Sequence, residues 1–174
     1  MSDSLIIYSS TDGHTKSICK KIVNSFSNQD FVKIISLSEV EKIDLSKFNK
    51  IVIGASIRYG KHSKELYKFI ELNRDILNKK KSIFFSVNVV ARKPEKSEPN
   101  TNPYIKKFLK ISQWQPKKIG VFAGKVDYPN YRFFDKYAIK LIMYLTSGPT
   151  DTSLSYEFTN WQKVKEFSQE IESL

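Results

Sequence analysis

The sequence predicts a doubly wound α/β domain, in which helices cover both faces of a parallel sheet. Short apolar runs rich in β-branched and aromatic residues alternate with segments of helical periodicity. Strands that are buried on both faces have this nearly continuous apolar character. The chain has 174 residues, 40% of them hydrophobic, which suits one domain with one core. We therefore expect a single domain over residues 1–174.

The predicted elements follow each other in the order that such a fold requires. Strands are predicted at residues 5–8, 31–37, 51–54, 82–87 and 119–123. After the first strand, Ile18 and Ile22 belong to one apolar face of a helix. Further helices are predicted after Ser63 and after residue 159 or 160.

Two segments exceed the minimal pattern. A long basic insertion, at about residues 88–118, follows the fourth strand, and its first half contains three prolines. A short helix is expected over residues 104–114, with Tyr104, Phe108 and Ile111 on one side. Long connections inside a compact domain are often functional.

Residues 131–145 are apolar on more than one helical face, which predicts either a partner surface, such as a membrane interface, or a deeply buried helix.

Composition narrows the classes of function. The 29 basic and 18 acidic residues give a net charge of +11, and residues 88–148 carry 12 basic and 4 acidic groups. An anion is therefore expected to bind in this middle segment. The lone cysteine cannot form an internal disulfide or a cysteine-based metal centre, so redox chemistry requires a borrowed cofactor, and no metal is expected. No apolar run reaches the length of a membrane span, and no secretory signal is visible, so we expect a cytoplasmic location.

A hydroxyl-rich loop follows the first strand and precedes a helix. Its residues are Ser9, Ser10, Thr11, Asp12, Gly13, His14 and Thr15. Side-chain hydroxyls, backbone N–H groups and the positive end of a helix dipole together favour a phosphate. Neither the dinucleotide fingerprint nor a P-loop is present. A plain helix cap would explain one hydroxyl residue here, but not four in seven.

A phosphate at this point predicts that the rest of the ligand lies along the neighbouring strand ends. These ends combine small polar groups with apolar or aromatic surface, which suits the flat ring of flavin mononucleotide (FMN). The residues concerned are Ser56, Ile57, Arg58, Tyr59 and Gly60 after the third strand, Ser86, Val87, Asn88 and Val89 after the fourth, and Gly124, Asp127 and Tyr128 after the fifth.

The hydroxyl-rich loop by itself resembles the phosphate loop of flavodoxins. Other blocks of the sequence resemble a narrower family. Residues 54–60, 86–94, 112–114, 141–143 and 150–152 resemble the bacterial menaquinone-dependent protoporphyrinogen IX dehydrogenases. The resemblance implies a flavodoxin-like five-stranded parallel sheet of order 2-1-3-4-5. It also implies an FMN enzyme of heme biosynthesis that oxidises protoporphyrinogen IX and passes the electrons to a membrane quinone, either menaquinone or ubiquinone. His14 stands where the family pattern has glutamine, and residues 147–149 replace a glycine-rich turn.

The basic residues near the expected flavin face are candidates for substrate contact, because protoporphyrinogen carries two propionates. They are Arg58, Arg92 and Lys93, and His62 is added as a candidate base, although a packing role is expected to be more common for such a histidine. The same charge predicts peripheral association with the anionic cytoplasmic face of the membrane. Nucleic acid is not an expected partner. An NAD(P)H-quinone reductase and a flavodoxin-type electron carrier stay open as alternatives, and the catalytic base and oligomeric state stay unassigned.

Overall fold

The computed structural model describes residues 4–27, 29 and 31–174. Its main sheet contains β1 (Ser4–Ser9), β2 (Val32–Ser36), β3 (Lys50–Ser56), β4 (Lys81–Val87) and β5 (Lys118–Phe122). All neighbouring strands are parallel, and their order is β2-β1-β3-β4-β5. The predicted doubly wound fold and its strand order are confirmed. A short antiparallel pair, β6 (Lys125–Asp127) with β7 (Ser155–Glu157), was not predicted.

Within the residues that the structure describes, five α-helices accompany the sheet: α1 (His14–Asn24), α2 (Lys64–Lys79), α3 (Pro103–Ser112), α4 (Phe133–Leu145) and α5 (Trp161–Ser173). Alternate side chains of a strand point to opposite faces, so Leu5 and Ile7 pack with α2 and α3, whereas Ile6 packs with α1 and α5. One apolar core therefore lies on each face of the sheet. The carboxyl ends of β1, β3 and β4, where loops gather, are left open to a ligand.

The insertion after β4 is more structured than its composition suggests. Two 3₁₀ turns, Val89–Arg92 and Pro94–Lys96, lead to α3. Ile105 and Phe108 of α3 are buried, whereas Ile111, which was expected on the same side as Phe108, is 51% exposed. The Asn102 side chain accepts hydrogen bonds from the first N–H groups of α3 and donates one to buried Asn88, which ties the start of the helix to the cleft.

The α4 helix lies on the surface. Met143 is its buried residue, whereas Phe134 is 85% exposed. The alternative of a deeply buried helix is therefore wrong, because most of the apolar side chains of α4 are exposed and only Ile139 and Met143 pack against described core residues. No helix within the described ranges is both long and apolar enough to cross a membrane.

Candidate functional site

A cleft of about 250 Å³ opens at the carboxyl ends of β1, β3 and β4. The loops after these strands form its floor and sides, the segment that begins at Gly124 forms a further wall, and α4 covers it from above. Most of the predicted cofactor residues meet here. They are Ser10, Thr11, Asp12, His14, Thr15, Ser56, Ile57, Arg58, Tyr59, Gly60, Val87, Asn88, Val89, Gly124 and Asp127.

The loop after β1 has the features of an anion site. Gly13 has a φ of 80°, a left-handed conformation that favours glycine, and α1 begins directly after it. The first N–H groups of a helix have no partner within the helix, and no side chain of the described residues caps them at Gly13. The hydroxyl of Thr15 is buried at the cleft and lacks a hydrogen-bond partner within the described ranges. A buried hydroxyl without a hydrogen-bond partner destabilises the folded protein. A bound phosphate would supply the missing partner, so the site suits this group.

His14 connects this loop to the second half of the chain. Its Nε2 atom lies 2.6 Å from the hydroxyl oxygen of Thr159, and its ring contacts Trp161 edge-on. The pKa of His14 is lowered, first by burial, against a smaller opposing effect of Glu157. The neutral imidazole is therefore favoured, and His14 holds the loop in place against the segment before α5.

The loop after β3 forms a tight turn at the mouth of the cleft. Arg58 and Lys61 pair across this turn, and Tyr59 and Gly60 between them have φ values of 48° and 74°. A positive φ at tyrosine is rare and strained, and such strain concentrates at functional sites. The ring of Tyr59 is half exposed beside the cleft.

Arg58 joins three parts of the chain across the cleft. Its guanidinium nitrogens lie 3.1 Å from a carboxylate oxygen of Asp12, in the loop after β1, and 2.7 Å from one of Asp135, in α4. The hydroxyl of Tyr59 also donates a hydrogen bond to Asp135. This hydrogen bond raises the pKa of Tyr59. The group of four side chains is called the clasp below.

A buried polar chain supports the wall after β4. The Asn88 side-chain amide donates to the hydroxyl of Ser86 (3.2 Å), and Nε2 of His62 lies 3.1 Å from the same hydroxyl. Asn102 donates to the Asn88 side-chain oxygen at 3.1 Å. Asn88 itself lines the cleft. The wall is therefore held by the helix cap of the insertion and by the start of the segment that leads into α2.

Two charged residues line the remaining wall. Lys125 Nζ lies 2.9 Å from one carboxylate oxygen of Asp127. The same oxygen accepts a hydrogen bond from Asn130, and the other oxygen accepts one from Ser155. The hydrogen bonds from Ser155, Lys125 and Asn130, in that order of effect, lower the pKa of Asp127 to about 2. This carboxylate is therefore ionised and already engaged, which leaves it little basicity.

Four predicted cofactor residues do not line the cleft: Ser9, Gly13, Ser86 and Tyr128. The hydroxyl of Ser86 is used within the buried polar chain. Tyr128 packs in a small core with Val126 and Met143 and donates a hydrogen bond to the Pro149 carbonyl. These two residues support the cleft from behind, since they are fully buried.

Of the predicted substrate contacts, Arg58 lies at the cleft, whereas His62, Arg92 and Lys93 do not line it. His62 is 3% exposed, and its ring packs edge-on against Phe84 and Phe108. Burial, with a smaller effect of Lys107, lowers its pKa to about 4. Arg92 donates hydrogen bonds to the carbonyl of Val89 and to Thr146, which follows α4. Its guanidinium is therefore occupied in holding the end of α4.

The residue-by-residue prediction missed one part of the cleft. Its members are Ser17, Tyr104, Tyr131, Ile139, Ile142 and Met143. Half of them belong to α4, which roofs the cleft with its inner side. The apolar character of residues 131–145 on more than one face is the signal for this part, but by itself it predicts a partner surface or a deeply buried helix and not the wall of a cleft.

Comparison with known proteins now gives the family. The model of the flavodoxin domain matches residues 5–153, and the chain belongs to this family. Among curated proteins it is similar to protoporphyrinogen IX dehydrogenase [quinone] of Escherichia coli K12, with 39% identity over 98% of this chain and 94% of that protein. The Leishmania major protein of the same name is 38% identical over 98% of this chain and 74% of its own length.

Solved structures agree on the fold. Oxidised flavodoxin 1 from Bacillus cereus superposes with a TM-score of 0.54 at 14% identity, covering 98% of this chain and 97% of that chain. A flavoprotein from Lactobacillus acidophilus, solved in complex with FMN, gives a TM-score of 0.50 at 13% identity over 70% of this chain and 93% of that chain. The fold of this chain is that of flavodoxins.

Proposed function

We propose that this protein is an FMN-dependent oxidoreductase that converts protoporphyrinogen IX to protoporphyrin IX and passes the electrons to a quinone, within heme biosynthesis. The observation that carries the proposal is the 39% identity to a quinone-dependent protoporphyrinogen IX dehydrogenase over 98% of the chain. The matched region spans nearly the whole chain and therefore covers the cleft as well as the core.

The residues of the cleft suit FMN. Ser10, Thr11 and Thr15, with the N–H groups at the start of α1, would hold the phosphate. The turn after β3, the Asn88 wall and the segment at Gly124 would hold the ring. Bound FMN supplies the oxidant of the porphyrinogen and then the reductant of the quinone. The chain itself supplies position and charge.

The side chains at the cleft act on the substrate through charge and shape. Lys125 and Arg58 place two cations at the cleft wall, and Lys125 contacts one carboxylate whereas Arg58 contacts two. A propionate of the substrate would compete with these carboxylates for the two cations. The hydroxyl of Tyr59 donates a hydrogen bond to Asp135, and His62 is enclosed away from the cleft. Neither residue is placed to take a proton from the substrate.

We propose further that the protein associates peripherally with the cytoplasmic face of the membrane, where a quinone acceptor resides. The excess of basic residues between 88 and 148 supports this location.

An anaerobic titration tests the reaction. Protoporphyrinogen IX is added to the FMN-loaded protein while flavin absorbance and porphyrin fluorescence are followed. We expect the flavin band to bleach as fluorescence rises, and to recover when a water-soluble quinone is added. Bleaching by NAD(P)H without any response to porphyrinogen would instead assign the protein as a quinone reductase. Accumulation of a stable one-electron reduced flavin without porphyrin formation would indicate an electron carrier.

A further inference from the structure

The outer side of α4 is apolar where a surface helix is normally polar. Six side chains, each between 51% and 85% exposed, form it: Phe133, Phe134, Tyr137, Leu141, Tyr144 and Leu145. At 3.6 residues per turn they share about a third of the helix circumference. Contiguous apolar surface of this kind marks an interaction site. It is called the outer face below.

Basic residues border this outer face. Lys136 and Lys140 follow one flank of α4, and Arg132 precedes its first turn. The acidic residue of the helix, Asp135, is turned away from the outer face, because it binds Arg58 at 2.7 Å within the clasp. The surface presented to a partner is therefore apolar in the middle and positively charged at its edge.

We propose that the outer face of α4 docks on an anionic phospholipid membrane. Leucine and phenylalanine side chains enter the boundary between headgroups and acyl chains, and tyrosines lie at headgroup level. Lys136 and Lys140 contact the anionic headgroups. A lipid surface matches both properties of the helix, its apolar centre and its cationic edge.

A second copy of the chain matches this surface less well. In a two-fold dimer each protomer presents the same patch to the other. Arg132, Lys136 and Lys140 of both copies would then gather around one interface, and the carboxylate of α4 is already bound to Arg58. Like charges without a counter-charge disfavour that pairing, whereas anionic lipid supplies the counter-charge.

The position of α4 gives the docking a consequence. Ile139 and Met143, on the inner side of the helix, line the cleft. One helix diameter, roughly 10 Å, would thus separate the cleft from the membrane surface. This consequence rests on the proposed function: a quinone held in the membrane would reach the cleft beside α4. The docking itself depends only on the surface of the helix.

Vesicle sedimentation of the FMN-loaded protein tests the docking. The probes are vesicles of phosphatidylcholine and vesicles of phosphatidylcholine and phosphatidylglycerol in equal parts, at low salt. We expect binding to the anionic vesicles, and a loss of about tenfold or more in the double variant Phe134→Ser, Leu145→Ser. Neither residue lines the cleft. The matched control is Leu72→Ser in α2, a leucine that is 73% exposed elsewhere on the surface, and it should bind like the wild type.

Charge variants separate α4 from the insertion. Lys136→Glu with Lys140→Glu should weaken binding to anionic vesicles by about fivefold for each lysine removed, and by more because the charge is reversed. Lys106→Glu with Lys107→Glu, two exposed positions of α3, makes the same change of charge on the insertion. A much smaller effect is expected there, since the apolar contact lies on α4.

The proposal would be overturned if the wild type did not bind anionic vesicles, or if the double variant of Phe134 and Leu145 bound them as the wild type does. It would also be overturned if the wild type were a dimer that this variant dissociates and neither protein bound vesicles. Oxidation of porphyrinogen with a water-soluble quinone needs no vesicle. Its failure would remove the proposed reaction and leave the vesicle result standing, and the reverse also holds.

Discussion

The hydroxyl of Thr15 is the most informative single atom of the cleft, because it is buried without a partner among the described residues. We expect Thr15→Val to raise the dissociation constant of FMN about tenfold, since the variant loses a hydrogen bond to a charged group. Without FMN, the free energy of unfolding of this variant should be about 1 kcal/mol higher than that of the wild type, because an unsatisfied buried hydroxyl has been removed. Flavin fluorescence quenching and urea denaturation measure the two effects.

Thr15→Ser is the control, since it keeps the hydroxyl. If the valine variant bound FMN as tightly as the serine variant, the hydroxyl would not face the phosphate. A loss of stability in the FMN-free valine variant would mean that the hydroxyl is satisfied by water.

His62 makes the stability of the protein depend on pH. Its pKa is lowered from 6.5 to about 4 by burial, so the unfolded chain takes up a proton at a higher pH than the folded one. The contribution of neutral His62 is fully present above pH 6.5 and is lost as the pH falls towards 4, up to about 3 kcal/mol. Denaturant unfolding of the wild type and of His62→Gln, measured across this range, should show a flatter profile for the variant.

His14→Gln provides the comparison, because the pKa of His14 is also lowered, although to a smaller extent. Its profile should stay close to that of the wild type. Equal slopes for the wild type and His62→Gln would show that His62 has the same pKa in the folded and the unfolded chain.

At the scale of elements, two helix caps have the same residue type and different surroundings. Asn102 caps α3 and also bonds Asn88 of the cleft wall, whereas Asn160 caps α5 through Lys163 N–H. We expect Asn160→Ala to cost about 1 kcal/mol of unfolding free energy. Asn102→Ala should cost about 2 to 3 kcal/mol, because it also removes the hydrogen bonds that the Asn102 amide donates to buried Asn88 and to the carbonyl of Lys96. Urea denaturation of both variants measures the difference.

The Asn102→Ala variant should in addition bind FMN more weakly, while Asn160→Ala should bind it as the wild type does. Equal costs for the two variants would mean that the insertion does not hold the wall of the cleft.

The sequence pattern located these elements well and their orientation less well. Each strand of the sheet lies within about two residues of its expected bounds, because apolar runs buried on both faces have few alternatives. The periodicity of α3 did not show how much of its apolar side is buried, because Phe108 is enclosed while Ile111, one turn further on, is 51% exposed. The β6–β7 pair has three residues in each strand, mostly partly or fully exposed, so it leaves no periodic signal.

At the scale of the whole molecule, the loops predicted from hydroxyl, aromatic and glycine residues meet at one cleft, because parallel strands bring their carboxyl ends together. The roof was not predicted. It depends on contacts among Asp12, Arg58 and Asp135, which are far apart in the sequence. Ser86 and His62 lie close to the cleft, as predicted, but both are buried behind its wall. The sequence alone does not show whether a side chain near a strand end faces the cleft or the core.

The clasp gives a prediction at this scale, since it connects the phosphate loop, the turn after β3 and the roof. Asp135→Asn removes the ion pair between Arg58 and α4 without changing the size of the side chain. Partly exposed ion pairs contribute up to about 1 kcal/mol, so we expect FMN to dissociate up to about fivefold faster as α4 loosens. Stopped-flow fluorescence recovery measures the rate, and the difference from the wild type should shrink at high salt. Asp75→Asn on α2 makes the same change of charge at an exposed position. If both variants released FMN at the wild-type rate, the roof would be held by the Arg92 contacts at the other end of α4.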